Sequence, residues 1–154
     1  MIELLQELAK IAPLATPVVA ICALIFAWYQ VSENRRIAQR KAALDFFLKT
    51  EMDEKMLEMW RKHVAGVQVL QANGLAGITP DQRSEIRAYL NIHELMAEGI
   101  LNGSIDDKTC SEFWSDEFAR AARGAAALIN DIRQQPGGQH TYDGIMALRI
   151  RWRI

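Results

Sequence analysis

The amino-acid sequence predicts an all-α fold, in which an N-terminal transmembrane helix continues into a cytosolic bundle of about four to five helices. Three observations predict it. No charged residue occurs from Ile11 to Ser32. In the rest of the chain, apolar residues recur at three- and four-residue spacing, and capping residues stand where new helices would begin. We therefore divide the chain into 1–31 (short N-terminus and transmembrane helix), 32–148 (cytosolic helical domain) and 149–154 (basic tail).

The apolar run Ile11–Val31 is 21 residues long. A helix of that length spans roughly 30 Å, the thickness of a bilayer's hydrocarbon core. A cleaved signal peptide is one alternative, but it would need a basic start, a shorter apolar run and a small-residue cleavage site. A buried helix of a soluble core is another, and the length and all-round apolarity of the run count against it. We expect Trp28 and Tyr29 to lie at the membrane interface.

Basic residues flank the apolar run unevenly. Arg35, Arg36, Arg40 and Lys41 follow it, whereas Lys10 alone precedes it. The positive-inside rule then places the C-terminal domain in the cytoplasm and the N-terminus outside. We expect the four residues that follow the run to contact anionic headgroups, as part of the membrane interface.

The domain after the apolar run is electrically neutral. Glu3, Glu7 and Lys10 precede residue 33, which leaves 17 basic and 17 acidic residues from there onward. A neutral domain has no long-range attraction for polyanions, so no nucleic-acid partner is expected. Cys22 lies in the apolar run and Cys110 in the polar domain, so a disulfide between them is not expected and a reducing compartment fits better.

The segment after the apolar run lacks Gly and Pro as far as Lys49 and is predicted to extend the membrane helix. Its predicted buried stripe consists of Ile37, Leu44, Phe47 and Leu48.

Two further helices are predicted from their end signals. After a break at 50–53, the second helix runs to about Gln71 and stops at 73–74, an Asn-Gly pair. The segment 79–82, Thr-Pro-Asp-Gln, predicts a capping box at the start of the third helix, which ends at 102–103. The predicted buried faces are Met56, Met59, Trp60, His63, Val64 and Val67 in the second helix, and Ile86, Leu90, Ile92, His93, Met96 and Ile100 in the third.

Asp106 is predicted to cap a fourth helix, with a break at Ser115. The segment 134–138 predicts a turn, after which Thr141 caps a last helix through Leu148. The apolar face of the fourth helix and its continuation is Phe113, Trp114, Phe118, Ala121, Ala125, Leu128 and Ile129.

The tail 149–154 reads Arg-Ile-Arg-Trp-Arg-Ile. Membrane-surface contact and packing of Ile and Trp against the bundle are equally good interpretations of it. Contact with nucleic acid ranks behind both, because the domain is neutral.

The search for chemistry yields no catalytic motif. None of the three histidines stands in a Glu-x-x-His or His-Glu-x-x-His spacing. Glu94 and Glu98 share a helix face, and a solvated or salt-bridged pair is favoured over a cation site. A helix start near Cys110 would lower its thiol pKa, but the acidic neighbours of Cys110 act in the opposite direction. We therefore predict no catalytic residue, no metal ligand and no cofactor.

Three pieces of the chain carry a family resemblance. They are RRIAQRKAALDFF (Arg35–Phe47), YLNIHELMAEGILNGSIDD (Tyr89–Asp107) and LINDIRQQPGGQHTYDGIMALRIRW (Leu128–Trp152). With one N-terminal membrane helix, the chain resembles the bacterial family called domain of unknown function 4760. The resemblance covers nearly all of the chain and implies a single-pass protein of the bacterial inner (cytoplasmic) membrane, without an assigned activity. One departure is the pair Ala42 and Ala43, where a hydroxyl residue is expected.

The leading hypothesis is a non-enzymatic, membrane-anchored interaction module, a scaffold or regulator. Its expected partners are membrane lipid and either another protein or a second copy. One alternative is an oligomeric membrane effector or exclusion protein in phage–host conflict, which would self-associate through Ile11–Val31. Another is a membrane-proximal enzyme of unknown chemistry, for which only His93, Glu94 and Glu98 are available. A candidate polar network for packing or ligand binding consists of Arg36, Arg40, Asp45, Asn91, Glu94 and Arg133.

Overall fold

One long helix and five shorter ones make up the part of the chain that the computed structural model describes, the backbone of residues 2–154 and the side chains of residues 16–154. The predicted all-α class and the predicted number of bundle helices are confirmed. The elements are α1 (Ile2–Met52), α2 (Glu54–Asn73), a 3₁₀ turn (Leu75–Gly77), α3 (Pro80–Leu101), α4 (Asp107–Gly124), α5 (Ala126–Gln134) and α6 (Asp143–Trp152).

The chain forms two compact units, Met1–Ala38 and Gln39–Ile154. The first unit belongs to α1, and its described side chains up to Val31 are all exposed. Leu24, for example, is 70% exposed. By length and composition, α1 is a helix that could cross a membrane, and none of its most apolar window is buried by the rest of the described chain.

The second unit is built around α3, which packs against α2, α4 and α6. Most of the predicted apolar face of α3 is buried there. The largest fully buried apolar side chains are Ile86, Leu90 and Met96 of α3, Phe118 of α4, Leu128 of α5, and Ile145 and Leu148 of α6.

Three helices of the second unit begin where the sequence predicts, two at the predicted capping residue and one at the end of the predicted break 50–53. Asp53 accepts hydrogen bonds from the first backbone N–H groups of α2. Thr79 and Gln82 form the reciprocal capping box of α3. Asp106 accepts from the backbone N–H of Thr109, at 2.8 Å, at the start of α4. Capping side chains satisfy N–H groups that have no partner inside the helix, so these starts could be predicted from local sequence.

The predicted buried stripe of α1 is wrong at three of its four positions. Ile37, Leu44 and Leu48 are exposed, whereas Phe47 is partly buried. The buried face contains Ala43, which is 0% exposed, followed by the two aromatic residues at 46 and 47. Both rings pack against Trp114 of α4, with centroid distances of 5.2 and 5.9 Å. These aromatic contacts select the buried face of this part of α1.

Helix α4 shows no break at Ser115, contrary to the prediction, and continues to Gly124. A Cβ at Gly124 would lie 2.7 Å from Cγ1 of Val67, so α4 ends where it approaches α2 closely. The prediction that Phe113 is buried is also wrong, because its side chain is 72% exposed.

The last helix differs from its prediction at both ends. Tyr142, not Thr141, occupies the position before α6, with φ 65° and ψ 30°, and no side chain of its own loop caps the helix. The helix ends at Trp152 rather than at Leu148. The Trp152 ring packs on Phe118 at 5.4 Å. For the tail 149–154, this contact favours packing against the bundle over contact with the membrane surface.

Candidate functional site

The six residues predicted for the membrane interface all lie on α1. Trp28 and Tyr29 are exposed, as are Arg35, Arg40 and Lys41. The sixth, Arg36, donates to the carboxylate of Glu33 at 2.9 Å. Lipid contact by these residues stays a prediction.

Glu94 connects α3 to the start of α6. Its Oε1 accepts from the backbone N–H of Gly144 at 2.9 Å, and its Oε2 accepts from that of Ile145 at 2.8 Å. A carboxylate at a helix N-terminus satisfies unpaired N–H groups and interacts favourably with the helix dipole. Glu94 therefore caps α6, a role that usually belongs to the residue directly before a helix.

Gly144 leaves room for this contact. A Cβ at this position would lie 2.9 Å from Oε1 of Glu98 and 3.2 Å from Cδ of Glu94. The two glutamates predicted to share a helix face thus both approach the first turn of α6. This arrangement gives the pair a structural role in the helix start.

Two other members of the predicted polar network also hold the loop before α6. Asn91 accepts from the hydroxyl of Tyr142 at 3.2 Å. Arg133 donates to the carbonyl of Thr141 at 2.8 Å and to Asp143 at 2.6 Å.

The remaining predicted members of the network lie elsewhere. Arg40 and Asp45 are exposed on α1, and Arg36 is paired within the first unit. The structure therefore brings together Asn91, Glu94 and Arg133 around the start of α6.

Two buried histidines belong to a column of aromatic rings. The His63 ring lies 4.5 Å from Tyr89, which lies 4.6 Å from His93, and the His93 ring stacks on Trp114 at 4.7 Å. The Nδ1 of His93 faces the backbone carbonyl of Tyr89 at 3.1 Å. Because a carbonyl can only accept, this nitrogen must carry the proton when the imidazole is neutral.

Burial sets the charge state of both histidines. It lowers the pKa of His63 to about 4 and the pKa of His93 to about 4, so both imidazoles are neutral at neutral pH. His63 Nδ1 and His93 Nε2 are buried without a hydrogen-bond partner.

The structure gives the surroundings of the residues that were considered for catalysis or metal binding. Burial, followed by the charges of Asp106 and Asp107, raises the pKa of the Cys110 thiol to about 12. His93 is enclosed by aromatic rings, and Glu94 is occupied by backbone N–H groups of α6. Among the residues with described side chains, no group of three His, Cys, Asp or Glu could hold a metal ion.

A cavity of about 270 Å³ lies in the second unit, where the last turn of α1 meets α2, α3 and α4. Four aromatic side chains and two carboxylates contribute to its lining, together with smaller apolar groups. They are Trp60, Tyr89, Phe113, Trp114, Glu51 and Glu117. We call this space the aromatic cavity.

Glu117 is held in place at the aromatic cavity by two ring donors. The indole N–H of Trp60 and the hydroxyl of Tyr89 both donate to Oε1 of Glu117, at 3.2 and 3.3 Å. Its other oxygen lies 3.5 Å from Nε of Arg120. Burial, followed by the negative charges of Glu117 and Glu51, raises the pKa of Tyr89 above its ordinary value. The phenol therefore stays a neutral donor.

Sequence reasoning did not identify the aromatic cavity. Its rings and carboxylates come from four helices, and no local motif joins Trp60, Tyr89 and Glu117. Trp and Tyr often place an apolar ring in a core and a polar tip at its edge. That tendency marks candidate residues but does not identify their partner.

The fold and these sites define an all-helical protein with a helical bundle and one helix long and apolar enough to cross a membrane. The family model of the domain of unknown function DUF4760 matches residues 17–152. The chain belongs to this family, as the three sequence pieces predicted. No curated protein and no solved structure matches the chain.

Proposed function

We propose that the protein is a membrane-anchored helical interaction module, a scaffold or regulator whose second unit lies in the cytoplasm of a bacterium. The observation that carries the proposal is the exposed apolar surface of α1 before residue 32. Val19, Leu24 and Phe26 are each more than 60% exposed. Burying one such side chain is worth roughly 1.5–3 kcal/mol, so this surface requires lipid or another apolar cover.

Lipid fits this surface better than a soluble partner does. The apolar side chains occur on all faces of the helix, whereas a protein partner would leave part of the helix exposed to water. Trp28 and Tyr29, and the basic residues after them, stand in the order expected where a helix leaves a bilayer on the cytoplasmic side.

The second unit supplies surfaces for a protein partner. Leu95 of α3, Phe113 of α4 and Ile150 of α6 are large apolar side chains that are each more than 70% exposed. Tethering to a membrane raises the effective concentration of such a surface toward other membrane proteins, so even weak contacts become sufficient.

The test is carbonate extraction of membranes from cells that express the full chain. We expect the wild-type protein in the membrane pellet. The double variant Ile21→Arg with Ile25→Arg should leave the membrane, because each arginine near the centre of a spanning helix costs about 2.5–3.5 kcal/mol.

The matched control adds two arginines to the exposed surface of the second unit, Leu95→Arg with Phe113→Arg, and it should stay in the pellet. A folded wild-type protein in the soluble fraction without detergent would overturn the proposal.

Self-association as a membrane effector is the second candidate, and the exposed thiol of Cys22 provides its test. Cys110 is buried, so oxidative crosslinking in membranes reports on Cys22. A disulfide-linked dimer that disappears in Cys22→Ser favours the effector. A stoichiometric second protein that co-purifies from detergent favours the scaffold.

A further inference from the structure

The aromatic cavity combines aromatic rings with negative charge. Trp60, Tyr89, Phe113 and Trp114 contribute rings, and Glu51 and Glu117 contribute carboxylates. Among the described residues that line this cavity, none is basic. The Arg120 side chain that approaches Glu117 lines a neighbouring groove, on the α2 and α4 side.

We propose that the aromatic cavity binds a small organic cation, an ammonium group carrying short alkyl substituents. The faces of aromatic rings carry partial negative charge and attract cations, and quaternary ammonium groups are bound in this way by cages of aromatic side chains. The carboxylates of Glu51 and Glu117 add negative charge at the edge of the cavity, and Arg120 partly balances that of Glu117. Anionic ligands are disfavoured by the same two charges.

The hydrogen bonds of Glu117 make this site preorganised. Oε1 accepts from Trp60 and from Tyr89, so one carboxylate fixes two of the ring walls. A ligand that meets rings already in place loses less free energy to ordering the site on binding.

The size of the cavity limits the ligand. Its volume of about 270 Å³ is near the lower end for pockets that hold small molecules. Choline is a suitable probe because it carries a quaternary ammonium and a short alkyl arm. Its uncharged carbon isostere, 3,3-dimethyl-1-butanol (called dimethylbutanol below), has nearly the same shape and isolates the contribution of the charge.

The experiment is calorimetric titration of the full chain, purified in a maltoside detergent, with choline and with dimethylbutanol. We expect choline to bind at least about tenfold more tightly than the isostere. Glu117→Gln keeps a hydrogen-bond acceptor for Trp60 and Tyr89 but removes the charge, and it should weaken choline binding about tenfold.

Glu112→Gln is the matched control, since Glu112 is an exposed carboxylate of α4 that does not line the cavity. It should bind choline like the wild type. Phe113→Ala is the second variant in which choline affinity is measured if Glu117→Gln does not fold. The exposed ring of Phe113 contributes little to the core, and its removal should weaken binding about threefold.

Equal affinity for choline and its isostere would overturn the proposal, as would no detectable choline binding or equal effects of the two glutamate substitutions. Phosphatidylcholine added to the detergent micelles as competitor identifies the source of the cation. Displacement of choline by this lipid, absent in Glu117→Gln, supports the site with a lipid headgroup as ligand. No displacement supports it with a soluble ammonium compound as ligand. The titration is done in detergent, so its result is independent of whether α1 spans a membrane.

Discussion

The same types of side chain occur in both units of the molecule and have opposite surroundings. Phe26 of the first unit is 61% exposed, whereas Phe118 of the second is 0% exposed. In the second unit, apolar residues at three- and four-residue spacing leave a polar face for water. In the first, the residues from 16 to 32 are uncharged on all sides of the helix. Periodicity, and not apolar content, distinguishes a helix that needs a protein core from one that needs another apolar solvent.

The largest expected effect comes from the same substitution made in both units. Phe118→Ala removes a fully buried ring and should lower the free energy of unfolding by about 3–5 kcal/mol. Phe26→Ala should change it by less than about 0.5 kcal/mol, because that side chain contributes nothing to the packed core. Denaturant unfolding in detergent, followed by tryptophan fluorescence, measures both. Equal destabilisation by the two substitutions would mean that the apolar segment is part of the folded core.

The next largest effect is a response to pH that only the second unit should show. The pKa of His63 and that of His93 are about 4 in the folded protein. Both are near 6.5 when unfolded. Between these values the unfolded chain binds more protons, so stability is complete above the unfolded pKa and is lost as the pH falls toward 4. We expect the free energy of unfolding to drop by roughly 1–2 kcal/mol per histidine between pH 7 and pH 5.

Unfolding measured over this pH range checks the prediction, with two variants for comparison. His93→Gln should reduce the slope of stability against pH, and His63→Gln should reduce it likewise, because both imidazoles are buried and neutral in the folded protein. A slope that is identical in all three proteins would contradict the assignment. Residues 11–32 contain no Asp, Glu, His, Lys or Arg, so association of the anchor with membranes should not vary over this pH range.

The smallest effect concerns how helices begin in the second unit. Glu94→Gln replaces the carboxylate that accepts from two N–H groups of α6 and should destabilise the protein by about 1–2 kcal/mol. Glu112→Gln, which affects only a surface pair with Lys108, should cost almost nothing. The two variants are compared by thermal unfolding. An unchanged unfolding temperature in Glu94→Gln would contradict the role of Glu94 as the cap of α6.

Local signals predicted the features of this fold that depend on neighbouring residues. Thr79 and Asp106 predicted two helix starts and the segment 50–53 a third, because a cap and its N–H groups are adjacent in sequence. The start of α6 could not be located in this way, since its cap, Glu94, is about fifty positions earlier.

Predictions about which face is buried failed where tertiary packing decides between apolar neighbours. On α1, Leu44 and Leu48 were expected inside, but Ala43 is buried and the rings of Phe46 and Phe47 pack against Trp114. A small residue permits close approach of helices, and hydrophobicity alone does not reveal that preference. Asn91, Glu94 and Arg133 of the candidate network lie around the start of α6, a common partner that followed only from the fold.

The contact at Gly144 has a consequence for how the family can vary. The space for a β-carbon at this position is taken by the carboxyl groups of Glu94 and Glu98. An alanine here would therefore displace the carboxyl groups of Glu98 and Glu94, and a shorter residue at 94 would leave α6 without its cap. We expect homologous chains to keep or exchange these positions together, so that substitutions at 94 and 144 are correlated across an alignment.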